Sequence, residues 1–144
     1  MLARLLQRRA RLAGEGGFTL IELLVVIVII GILLAIAVPS YLHFKDNANQ
    51  KAAMSNVRAA IPAMEAYYAD HDAYTGVSQV VLQTTYDQGL SPTVVANPNA
   101  TGDKYCISAT SGTFTAKVIG PGGTINVAPT GTGTGQIAAC ANGA

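Results

Sequence analysis

The run Phe18–Val38 reads FTLIELLVVIVIIGILLAIAV, 21 residues with one charge, Glu22. A helix of about 20 apolar residues crosses the hydrocarbon core of a bilayer. No other stretch constrains the chain as much. Sixteen of the 21 residues are Phe, Leu, Ile or Val. Each of these favours insertion by about 0.3–0.6 kcal/mol, whereas a central acidic residue opposes it by only about 2.5–3.5 kcal/mol. Insertion therefore wins.

The flanks give an orientation. Arg4, Arg8, Arg9 and Arg11 precede the run, with only Glu15 against them. Basic residues close to a span hold their side in the cytoplasm. The expectation is a single-pass membrane protein with a cytoplasmic N-terminus and its later residues outside. After residue 17 five basic side chains face seven acidic ones. Charged residues make up 12% of the whole chain, about half the globular average of roughly 25%, which suits a membrane or an assembly. A net charge of +1 and the absence of Trp give no signal for nucleic acid, which binds through basic fields and stacking aromatics.

Three readings compete for the apolar run. A secretory signal peptide would use Ala35-Ile36-Ala37 as its cleavage site, but the run exceeds the usual apolar length and carries a Glu. A plain signal anchor would let Glu22 snorkel to the headgroups. The third reading starts from G-F-T-L-I-E, Gly17 to Glu22, followed by the apolar run and Pro39. From Gly16 to about Tyr41 this resembles the type IV pilin signal. The resemblance implies that residues 1–17 are a leader, cut by a prepilin peptidase between Gly17 and Phe18. It further implies N-methylation of the new Phe18 amine.

Physical reasoning agrees with that resemblance. Cleavage would leave a cationic amine at Phe18, one helical turn from Glu22. A lone carboxylate in an apolar bundle needs a partner. The Phe18 amine of a neighbouring copy could supply one, so that out-of-step stacking would leave a charge unpaired. The family assigns Glu22 this assembly role. It also implies a helix break between Gly31 and Pro39 in the filament.

Helical periodicity continues past Pro39. Tyr41, Phe44 and Ala48, then Met54, Val57, Ile61, Met64 and Tyr68, form a one-sided stripe. One helix is expected from about Phe18 to Asp72, roughly 80 Å long, loosened at Pro62. Residues 18–38 would be its membrane and filament-core part, and residues 39–72 its amphipathic continuation. Residues 73–102 read as a connecting region, with a short helix or strand at Val77–Tyr86.

Lys104–Thr110 and Thr113–Ile119 alternate and are rich in β-formers, with Ser111-Gly112 as the turn. Thr124–Val127 is a candidate third strand, and residues 128–136 read as loop. The fold class is α+β: a long N-terminal helix packed by a small antiparallel sheet within residues 103–144. Cys106 and Cys140 would form a disulfide if this part is exported, or else remain two buried thiols. The layout resembles the family's disulfide-bounded C-terminal loop.

No catalytic constellation stands out, and the reading is not an enzyme. His43 and His71 are too few for a metal cluster. Asp70-His71-Asp72 reads as a polar helix end, and Asn99-Ala100-Thr101 matches a glycosylation acceptor sequence. No metal or cofactor is expected. The resemblance implies a structural subunit of a type IV pilus, used for adhesion, motility or DNA uptake. Its partners would be copies of itself, the prepilin peptidase and an inner-membrane assembly platform. A type II secretion pseudopilin is the alternative, although only Asp87 and Asp103 could contribute to an acidic calcium loop after Asp72. A singly anchored binding domain is the alternative of another class.

Overall fold

The computed structural model describes residues 17–131 and Cys140. The chain divides into two units between Tyr41 and Leu42. One helix, α1, runs Leu20–His71. Its first i→i−4 bond runs from the Leu23 amide to the Thr19 carbonyl at 3.2 Å, which makes Thr19 the N-cap. At the other end the Asp72 amide still reaches Tyr68 O at 2.8 Å. Asp72 itself takes φ 54°, a left-handed conformation that stops the helix and that Asp tolerates better than most residues.

The interruption expected at Gly31 and Pro39 is absent from the single chain, since α1 is helical at both residues. Pro39 has no amide to offer Ala35 O. The Leu, Ile and Ala residues around it keep every other turn closed.

In the first unit every large apolar side chain from Leu20 to Val38 is exposed, by 46–88%. In the second unit α1 buries Ala53, Val57, Ala60, Ala63, Met64 and Tyr67. The seam is thus rotated from the predicted stripe. Met54 and Ile61 are only partly buried, and Tyr68 is 41% exposed. Alanines at the centre let the sheet approach the helix closely, and the bulkier side chains flank that contact.

After α1 a short helix, α2 (Gln79–Val81), is capped by Ser78, whose Oγ accepts from the Val81 amide at 3.3 Å. It passes into a π-helical turn, Leu82–Tyr86, so Val77–Tyr86 is helical rather than extended. Four strands follow: β1 (Val94–Pro98), β2 (Tyr105–Ser111), β3 (Phe114–Gly120) and β4 (Asn126–Pro129). They pair antiparallel in the order β1-β2-β3-β4. The first of these was not expected, and β4 extends into residues read as loop.

Register sets the two faces of the sheet. Ile107 pairs with Ala96 on one side and Val118 on the other. These three join Val94, Ala109 and Ala116 in the core with the helix seam. The β2–β3 turn is Gly112-Thr113, one residue later than predicted. Gly112 takes φ 56°, and the Asn49 side chain fills the space that a Cβ would need.

Candidate assembly site

The chemistry of the first unit is concentrated at its first turn. Gly17, Phe18 and Thr19 precede the helix and are exposed, Phe18 by 92%. The Thr19 amide and hydroxyl both donate to Glu22 Oε2 at 2.8 Å, and the Glu22 amide donates back to Thr19 Oγ1 at 3.2 Å. This is a capping box, built from the T-x-x-E at the head of the apolar run. It satisfies two amides that a helix start leaves orphaned and gives the carboxylate three-centre company in an apolar setting. The 18-residue window of highest hydropathy in α1 averages 3.3 with none of it buried, so this helix is long and apolar enough to cross a membrane. Thr19 was missed as a partner of Glu22, although its spacing is readable.

The second unit gathers polar groups at three places. On the sheet face away from the helix, Cys106 bonds to Cys140. The Cys140 amide donates to Ser108 Oγ, and its carbonyl accepts from Asn97 Nδ2, both at 2.9 Å. Asn97 is the cross-strand partner of Cys106, and Ser108 stands two residues along β2. Cys140 is therefore held by one covalent and two hydrogen bonds to three neighbours on one face.

A second cluster joins helix, loop and strand. Glu65 accepts from Tyr74 Oη at 3.1 Å and from Tyr105 Oη at 2.9 Å, one on each carboxylate oxygen. Both phenols are buried. Burial, then the Glu65 bond and charge, push Tyr74 up to about 12 and Tyr105 further. The two rings meet edge-on at 4.7 Å. Tyr105 also lies over Gly120, its partner on β3, where a Cβ would collide with the ring.

The polar end of α1 is used structurally. Asp70 accepts from Tyr86 Oη at 2.9 Å, and the His71 ring stacks on Tyr67 at 4.2 Å. Among the described residues no three His, Cys, Asp or Glu side chains converge on a common point. The Asn99 amide donates to Thr101 Oγ1 at 2.8 Å and to Asp103 Oδ1 at 2.6 Å, closing the β1–β2 connection. Hydrogen bonds from Thr101 and then Asn99 hold Asp103 below the usual carboxylate range. Predicted residues 1–16, and the tail either side of Cys140, lie outside the described residues.

Known proteins resemble the chain in both halves of this picture. Residues 12–38 match the prokaryotic N-terminal methylation motif. A type IV wide pilus major component of Thermus thermophilus is 31% identical over 93 residues, covering 65% of this chain and 71% of that protein. A type II secretion system core protein G of Escherichia coli is 36% identical over 88 residues, 61% of this chain and 60% of that one. A type IV major pilin of Myxococcus xanthus is 42% identical over 59 residues, 41% of this chain and 27% of that protein. The chain thus spans less than two thirds of the last two relatives. No solved structure matches it. With a methylation motif ahead of a bare apolar helix, an antiparallel sheet packed on that helix's later turns, and a pilus component matched over most of its length, the chain belongs to the type IV pilin and pseudopilin family.

Proposed function

We propose that the chain is a structural subunit of a type IV pilus, polymerising through residues 18–38. The uncovered apolar surface of Leu20–Val38 around a single carboxylate carries this reading. Outside a bilayer that surface needs other copies to cover it. In this reading residues 1–17 are the leader, removed between Gly17 and Phe18, and the Phe18 amine is methylated. Before assembly the helix waits in the membrane with its N-terminus cytoplasmic. On assembly Glu22 pairs with the Phe18 amine of a neighbour, and the helix opens between Gly31 and Pro39. The prepilin peptidase and an inner-membrane platform are the partners that this route requires.

The second reading is a type II secretion pseudopilus, supported by the core protein G similarity across 61% of this chain. Intact and N-terminal fragment masses of protein sheared from cells test the shared part. The expected product starts at methylated Phe18 and lacks two hydrogens for the Cys106–Cys140 bond. An uncut chain confined to membranes would overturn it. Deleting the gene then separates the two filaments: lost surface pili with intact protein export mean the pilus, and the converse means the pseudopilus.

A further inference from the structure

Lys51, Arg58, Glu65 and Asp72 are spaced by seven residues. Seven residues are two helical turns less about 20°, so the four form one slowly drifting line along α1 and its first residue beyond. All four are exposed, and the line faces away from the buried seam of Val57, Ala60 and Met64. The helix's other charges, Lys45, Asp46 and Asp70, lie off it. The line is bipolar, with two cations followed by two anions.

We infer that this line is a register-setting contact between copies of the chain, resting on the filament reading above. Copies inserted in one membrane by the same segment share one orientation, so their helices run parallel. Among parallel offsets the charges choose one. Unshifted helices set every charge against its like. A shift of seven residues pairs Arg58 with Glu65 but sets Lys51 against Arg58 and Glu65 against Asp72. A shift of 21 makes one pair, Lys51 with Asp72. A shift of fourteen, about 21 Å, pairs Lys51 with Glu65 and Arg58 with Asp72 and opposes no like charges. Exposed ion pairs are individually weak, but like-charge juxtaposition suppresses wrong alignments. Glu65 is also held in place by Tyr74 and Tyr105, which fixes where the anionic half begins.

Zero-length carbodiimide cross-linking of sheared filaments, read by peptide mass, tests the offset. Lys51 and Glu65 of one chain stand about 21 Å apart along the helix, so a direct amide between them must join two copies. The expected product is the Lys51–Glu65 peptide, lost in Lys51→Arg filaments. Lys51 joined to Asp72 instead of Glu65, or filaments with no Lys51 cross-link, would overturn the offset while leaving the filament reading intact. Cells that process the chain but make no filament would overturn both. Lys51→Glu is further expected to reduce recovered filament by about tenfold, and undiminished filament would count against the contact.

Discussion

The amide of Cys140 donates to the hydroxyl of Ser108 at 2.9 Å, beside the bond that joins Cys140 to Cys106. Ser108 is only 1% exposed, so its hydroxyl has this backbone group in place of water. The covalent and non-covalent ties are separable. Cys140→Ser is expected to cost about 3–4 kcal/mol, as for a closed loop of this size. Ser108→Ala leaves the disulfide and removes one hydrogen bond, costing about 1 kcal/mol. Denaturant unfolding of the detergent-solubilised chain measures both, and equal losses would contradict the separation.

Glu22→Leu removes both the internal cap and the proposed partner of the Phe18 amine. Membrane insertion should be unchanged, because an apolar residue replaces an acidic one. Filament yield should fall on the order of a hundredfold, since an unpaired buried charge costs about 3–5 kcal/mol. Fractionation and electron microscopy read the two effects. Thr19→Val, which loses the hydroxyl but keeps the amide, should give a smaller loss.

Glu65 and its two phenols predict an alkaline transition. Tyr74 and Tyr105 hold their protons more tightly folded than unfolded. The unfolded chain therefore loses these protons first, and stability falls as pH rises above the ordinary tyrosine value of about 10. For Tyr74 the loss continues to about 12. Absorbance titration should show some phenols ionising only as the chain unfolds. Glu65→Gln should move those steps toward ordinary tyrosine, and also cost about 1.5–3 kcal/mol at neutral pH.

Gly112 holds φ 56° with the Asn49 side chain against it. Gly112→Val should destabilise the chain by about 1–3 kcal/mol through the left-handed backbone alone, with added loss from Asn49. Thermal unfolding measures it, and Gly122→Val provides the contrast, having φ 78° but no neighbour within 4 Å.

The parts legible in the sequence are those written locally. The apolar run, the helical stripe and the β2–β3 hairpin each carry their signal within a few turns or residues. The capping box was equally local, since Thr19 stands three residues before Glu22. β1 escaped because V-V-A-N-P does not alternate and sits between turn residues, so only pairing with β2 makes it a strand. The Glu65 cluster could not be read, since its partners lie 9 and 40 residues away. The alanine seam was displaced from the predicted stripe because periodicity weighs bulky residues, whereas close approach of a sheet selects small ones.

The Cys106–Cys140 bond encloses β3 and β4 in a covalent ring. A protease that cuts once between residues 107 and 139 therefore opens the ring without severing the chain. Both fragments stay joined, and the nick becomes visible only when the protein is run under reducing conditions.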